Sequence, residues 1–248
     1  MLVNETFSLA LGLGFLLGLK HAMEADHLVA VTTMVSEQRS IRRSALVGAL
    51  WGAGHTISLL AAGVVVILLR VVIPARIASL LELAVAVMII FLGGRVLYAL
   101  LRRQKEIHVH PHSHGGLTHS HLHFHGQEDA HRVTDSHPFG SASHYPGTGW
   151  RPLVVGMVHG LAGSAALTLL VLTEVVRGGS QALGLAYLLI FGVGSIGGML
   201  LMSVFISLPF VFTSARFARV NQPVRLLAGI ASVFFGMYYA WKSISAIY

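Results

Sequence analysis

Long apolar runs, separated by short polar segments, dominate the pattern of this chain. There are six of them: Phe7–Val35, Ser44–Leu69, Ile77–Leu101, Pro152–Val176, Ala182–Phe212 and Val224–Ile247. A transmembrane helix needs about 20 mostly apolar residues, so each run is long enough to cross a bilayer. The pattern predicts an all-α membrane protein with about six transmembrane helices. The first and fifth runs exceed one straight crossing, which predicts a tilt, a kink or a break in these spans.

Composition agrees with a membrane protein and removes several other classes. Of the 248 residues, 54% are hydrophobic and 11% are charged, whereas soluble domains have about 25% charged residues. So few charges exclude an ordinary soluble fold. Because the chain has no cysteine, disulfides, thiolate metal sites and iron–sulfur clusters are excluded as well.

The basic residues predict how the spans are oriented. With the N-terminus outside, eleven of the seventeen Lys and Arg residues lie on inner loops, four lie on outer loops, and Lys20 and Arg95 lie within spans. An excess of basic residues marks the cytoplasmic side. We therefore expect a multi-pass protein of the cytoplasmic membrane, with both termini outside and the long central loop inside. The net charge of +7 is then explained by contacts with membrane lipid, so no nucleic acid partner is expected.

Three short motifs recur in the same order in the two halves of the chain. The matched segments, at offsets of 138, 140 and 143 residues, are 18–22 with 156–160, 51–55 with 191–195, and 91–93 with 234–236. They divide the chain into a three-helix repeat at 1–101, a loop at 102–151 and a second three-helix repeat at 152–248. Three spans per half predict an inverted repeat, with the substrate near the bilayer midplane. Coincidental patterning of glycine and aromatic residues is the alternative.

Histidines, with acidic neighbours in the first span, occur inside three of the predicted spans. They include His21, Glu24, Asp26 and His27 in the first span, His55 in the second and His159 in the fourth. A charged group at the bilayer centre costs about 2.5–3.5 kcal/mol, so such residues require a reason. On a regular helix His21, Glu24 and His27 form one stripe, and Asp26 lies off it as a partner that orients an imidazole. A break after Gly18 would instead let Asp26 bind an ion directly, and the sequence leaves both arrangements open.

Imidazole and carboxylate groups without thiolate suit a divalent first-row ion such as nickel, cobalt or zinc. The sequence therefore predicts a metal site in the first span, with His55 as a ligand from the second span and Glu24 and His159 as further candidates. The alternative is that these groups only hydrogen-bond one another and stiffen the helix bundle.

The other eleven histidines lie in the central loop, most of them at every second position. Because this segment is rich in Gly, Ser, Pro and His, we expect it to be disordered in the absence of metal. It is predicted to collect or buffer divalent ions in the cytoplasm, and a solvated linker is the alternative. The chain contains no HExxH motif and no phosphate-binding loop, so we expect no enzyme activity and no catalytic cofactor.

The first span also carries a recognisable motif. The segment Lys20-His-Ala-Met-Glu-Ala-Asp-His-Leu28 resembles the signature of the nickel/cobalt transporter (NiCoT) family, a basic residue followed by His-x4-Asp-His. Glu24 stands where that family usually has Asp. The segment 54–58 is similar to the family's Gly-His-Ser/Thr motif, and 156–167 resembles the UreH-type branch, which is associated with urease and nickel handling.

This resemblance implies a secondary transporter that imports Ni²⁺ or Co²⁺, in which His21, Asp26, His27 and His55 recognise the ion. Proteins of nickel-enzyme maturation are then possible partners. The chain departs from the family in having six predicted spans instead of eight, and in lacking the acidic, Thr-rich motif of the second half. An exporter of the RcnA type, which also has a His-rich loop, and a membrane-anchored nickel-binding accessory protein are the two alternatives.

Overall fold

The structure is a computed structural model that describes residues 2–69, 73–104, 109–114, 117–122, 149–162, 181–216 and 218–247. The predicted fourth span continues beyond residue 162 into a part of the chain that lies outside these ranges. Residues 123–148 of the His-rich loop lie outside them as well.

The apolar part of the described chain is helical throughout. Its helices are α1 (Leu2–His21), α2 (Ala25–Ser36), α3 (Ile41–Leu69), α4 (Ala75–Gln104), α5 (151–162), α6 (Gln181–Arg216) and α7 (Ala218–Ser245). Among the described residues α3, α4, α6 and α7 each contain a segment long and apolar enough to cross a membrane. These helices match the second, third, fifth and sixth predicted spans, which makes the chain a helical membrane protein.

The first predicted span is broken, as its length predicted. Helix α1 ends at His21, the chain turns through 22–24, and α2 begins at Ala25. The residue before α2, Glu24, has an extended backbone with φ −64° and ψ 151°. The interruption follows His21, three residues later than the break after Gly18 that the sequence left open. The single regular stripe of His21, Glu24 and His27 is therefore wrong, because an extended residue separates the two helices.

The fifth predicted span is one helix without a break. Helix α6 has 36 residues, with Pro209 inside it near its C-terminal end. At 1.5 Å per residue it is about 54 Å long, which exceeds the hydrocarbon thickness of about 30 Å. A helix of this length crosses at a tilt or projects beyond the hydrocarbon layer.

Close contacts at glycines hold the helices together in pairs. Helix α6 packs along both α1 and α3, and α4 packs along α7. Gly18 of α1 lies against the carbonyl oxygen of Phe191 in α6, and Gly54 of α3 lies against the carbonyl oxygen of Leu153 in α5. Small residues let helix backbones approach closely, which is the main source of packing energy in a bilayer.

The described part of the His-rich loop contains an antiparallel pair of strands, β1 (Val109–His114) and β2 (Leu117–Leu122). The register pairs His110 with His121 and His112 with His119 at the Cα positions. The expectation of a loop without regular structure does not hold for these twelve residues. Backbone hydrogen bonds between two short neighbouring segments form the pair, and this pairing needs no apolar core.

Candidate metal centre

His21 stands at the end of α1, and each of its ring nitrogens has a partner. Its Nδ1 lies 3.1 Å from a carboxylate oxygen of Glu24, and its Nε2 lies 3.2 Å from Nε2 of His55 in α3. The Glu24 carboxylate favours the tautomer with a proton on Nδ1, so Nε2 of His21 offers a lone pair. Two Nε2 atoms at this distance share either a proton or a cation.

Asp26 joins two further histidines. Its Oδ1 accepts a hydrogen bond from Nδ1 of His27 at 3.0 Å, and its Oδ2 accepts one from Nε2 of His159 at 2.9 Å. An ionised carboxylate can only accept, so each histidine donates a proton through the named nitrogen. The opposite nitrogens, Nε2 of His27 and Nδ1 of His159, are buried and have no hydrogen-bond partner in the described chain.

The four histidine rings form a single cluster, although they come from four helices. The ring centroids of His21 and His27 are 4.5 Å apart, and those of His27 and His159 are 4.1 Å apart. His55 completes the cluster, 5.1 Å from His21 and 5.2 Å from His27. All four residues are buried. Buried imidazoles need partners, because burying a polar group without a hydrogen bond is unfavourable. For an amide or hydroxyl group moved from water into hydrocarbon the cost is about 4–8 kcal/mol.

Two groups within this cluster have the spacing of a metal site. One ring nitrogen from each of His21, His27 and His55 lies within 4.8 Å of the other two. A second group of donor atoms with the same spacing comes from Asp26, His27 and His159. The donors are neutral imidazole and carboxylate, the set that suits nickel, cobalt or zinc.

Aromatic rings close two sides of the cluster. The Trp51 ring lies 5.5 Å from that of His27 and 5.6 Å from that of His159. On the other side, Phe191 lies 5.5 Å from His21. These rings keep water away from the imidazoles, so electrostatic interactions at the cluster are stronger than in water.

All six residues predicted from the sequence come together in the structure. Glu24 is the outermost of them, with 55% of its side chain exposed and contact to His21. Trp51 is not among the residues predicted from the sequence. Its alignment with Phe191 in the repeat was the available signal, since both residues lie against the histidines.

Comparison with known proteins shows the family to which the chain belongs. No protein-family model and no solved structure matches the chain. The urease accessory protein UreH of Bacillus sp. (strain TB-90) is 38% identical over 232 residues, which cover 94% of this chain and 90% of the relative. The chain belongs to the UreH-type nickel transporter family. Membership in the UreH-type family confirms the branch that the motifs indicated, and the similarity extends through both predicted halves.

Proposed function

We propose that the chain is a secondary transporter that imports Ni²⁺, with Co²⁺ as the second possible ion, across the cytoplasmic membrane. One observation carries this proposal: four buried histidines from four helices, together with Asp26, converge within an apolar bundle. Ionisable groups within a membrane are expensive and usually mark an ion pathway.

The ligands in this proposal are His21, His27 and His55. Asp26 acts through its neighbours, since its two oxygens already bind His27 and His159. Held by Asp26 through Nδ1, His27 keeps Nε2 free for the ion, and the carboxylate balances part of the ion's charge. Carboxylates that orient metal-bound histidines in this way typically change metal affinity 10–100-fold. His159 supports the site through Asp26.

The alternative, that the polar groups only stiffen the bundle, is less favoured. In a purely structural network each buried polar atom has a partner. Here Nε2 of His27, Nδ1 of His55 and Nδ1 of His159 have none among the described residues. Free ring nitrogens beside a closely spaced ligand set favour a site for a cation.

We also propose that the two halves form a 3+3 inverted repeat. Supporting this, several interhelical contacts occur twice, at the offsets found in the sequence. Gly18 packs on the backbone of Phe191, and the equivalent Gly156 packs on the backbone of Trp51. Gly93 packs on the carbonyl oxygen of Gly229, and the equivalent Gly236 packs on the carbonyl oxygen of Ala86. Three further pairs of equivalent contacts are Gly54–Leu153 with Gly194–Phe15, Gly52–Ile196 with Gly192–Thr56, and Gly48–Ser203 with Gly63–Leu188.

Helix direction also supports the inverted arrangement. From Gly48 to Gly63 the residue numbers of α3 increase, while those of the α6 contacts decrease from Ser203 to Leu188. The second and fifth spans therefore run antiparallel, as equivalent helices in oppositely oriented halves should. On this proposal the histidine cluster lies near the bilayer midplane, where the halves meet.

The cytoplasmic route in this proposal begins at the His-rich loop, which receives or buffers the ion. A cavity of about 760 Å³ lies where the chain returns from the loop, and Trp150 and Arg151 are in its wall. Thr33 of the first span and Glu37, just after the end of α2, also line this cavity. Thr33 is six residues from His27, so this part of the cavity wall lies about 9 Å along the helix from the histidine cluster.

The transport proposal is tested by nickel accumulation in cells that express the wild type, His21→Ala or His27→Ala at equal levels. We expect both variants to lose accumulation, because each loses a ligand. His144→Ala, which removes a loop histidine, is the matched control and should retain accumulation. Unchanged nickel in both site variants would overturn the proposal, and nickel lowered by wild-type expression would indicate an exporter.

The name of the relative favours a second candidate, a membrane-anchored protein that delivers nickel to enzyme maturation without transporting it. Deletion of residues 106–150 separates the two functions. A transporter should still accumulate nickel with altered affinity, whereas an accessory protein that works through its loop should lose all function while its spans remain in the membrane.

A further inference from the structure

Ser195 in α6 is a buried polar residue that the proposed ligand set does not use. It is fully buried, and its hydroxyl has no hydrogen-bond partner in the part of the chain that the structure describes. A serine in a transmembrane helix normally bonds to a carbonyl one turn back, as Ser207 does with Val204. The hydroxyl of Ser195 is therefore available to a ligand, and its position relative to the histidine cluster decides whether that ligand is the ion.

The helix packing gives Ser195 the same place in the second half that His55 has in the first. A Cβ on Gly18 would lie 2.9 Å from the amide nitrogen of Ser195, and a Cβ on Gly156 would lie 2.9 Å from the amide nitrogen of His55. His55 is a proposed ligand. Its structural counterpart is the unpartnered serine.

The residue one turn before Ser195 lies against the histidine cluster. Phe191 is one helical turn earlier on α6, and its ring lies 5.5 Å from that of His21. Residues four apart share one face of a helix. In the other half, Trp51 is one turn before His55 and lies 5.6 Å from His159. Each aromatic residue thus contacts a histidine of the cluster, with His55 or Ser195 one turn further along.

We propose that the hydroxyl of Ser195 is a further ligand of the transported ion, on the side opposite His55. This inference rests on the proposed function, because it assumes that the ion occupies the histidine cluster. With an oxygen ligand from Ser195, the ligand set of the site would contain both nitrogen and oxygen. Such a set suits nickel better than the tetrahedral nitrogen set typical of zinc. Ser195 would then contribute to the choice of metal.

The absence of cysteine from the chain permits a direct test with Ser195→Cys. The purified full-length variant is titrated with Co²⁺ alone, and we expect a thiolate-to-cobalt charge-transfer band, because a soft thiolate beside the ion binds it. Ser203→Cys is the matched control. Ser203 is also fully buried in α6 without a partner for its hydroxyl, but it packs against Gly48 and not beside the histidines. It should give no band.

Ser195→Ala provides the second measurement, since it removes only the hydroxyl. We expect its Kd for Ni²⁺ to rise about tenfold. Loss of one polar interaction with a charged group usually has an effect of this order. A folded Ser195→Cys without the band, or a Kd for Ser195→Ala equal to that of the wild type, would overturn the assignment of Ser195. A wild type that binds no Ni²⁺ would instead overturn the proposed function itself.

Discussion

Nε2 of His159 donates a hydrogen bond of 2.9 Å to Oδ2 of Asp26 across 133 positions of sequence. The bond links the fourth predicted span to the first at the histidine cluster. Because the other oxygen of Asp26 bonds His27, a single carboxylate fixes the orientation of two imidazoles from different halves of the chain.

Replacing this carboxylate should weaken the site without unfolding the bundle. Asp26→Asn keeps the shape of the side chain, but one of its two terminal atoms becomes a donor and can no longer accept from both histidines. We expect nickel affinity to fall about 10–100-fold, the range for the loss of a group that orients a metal ligand. Isothermal titration of the purified protein with Ni²⁺ measures this change. Glu82→Gln removes an acidic group of α4 outside the histidine cluster, and an equal loss there would contradict the prediction.

Two substitutions of His159 distinguish a support from a ligand. His159→Gln retains an amide that can donate to Asp26, whereas His159→Leu removes the donor and leaves the carboxylate oxygen unpaired. We expect His159→Leu to reduce nickel accumulation about tenfold and His159→Gln to reduce it much less. Equal losses in both variants would show that His159 binds the ion through its free Nδ1.

Gly156 should be intolerant of even one added methyl group. A Cβ there would collide with the carbonyl oxygen of Trp51, which belongs to the backbone and cannot move aside. We expect Gly156→Ala to lower the free energy of unfolding by about 1–3 kcal/mol, the usual cost of overpacking. Thermal unfolding in detergent measures the effect. Gly94→Ala is the control, since nothing lies within 4 Å of a Cβ at Gly94, and its unfolding temperature should not decrease.

The predicted orientation can be tested by labelling single cysteines. Ala75 is exposed at the start of α4, on a loop that we place outside, and Ser40 lies on the short segment before α3, which we place in the cytoplasm. A membrane-impermeant thiol reagent should label Ala75→Cys in intact cells and Ser40→Cys only after permeabilisation. The parent chain has no cysteine and should remain unlabelled. Labelling of Ser40→Cys alone in intact cells would mean that the orientation is reversed.

The sequence predicted which residues form the candidate site better than it predicted the local geometry of these residues. The residue types indicated the histidines and acidic residues of the spans, because ionisable groups are rare in apolar spans. The resemblance to the family then narrowed this set to His21, Asp26, His27 and His55. The same reasoning could not find Trp51. An aromatic residue in a transmembrane helix is common, and only packing reveals that it contacts imidazoles.

The sequence by itself determined the helical membrane class, a first span too long for one straight crossing and the set of polar residues available for chemistry. These properties follow from hydropathy, run length and the cost of buried charge, which act residue by residue along the chain. Only the tertiary structure decided that Glu24 interrupts the helix and that Asp26 bonds His27 and His159. It also decided that Ser195 and His55, which the repeat aligns in the sequence, make matching contacts with Gly18 and Gly156. Such relationships depend on contacts between helices far apart in sequence, and no local pattern encodes their distances.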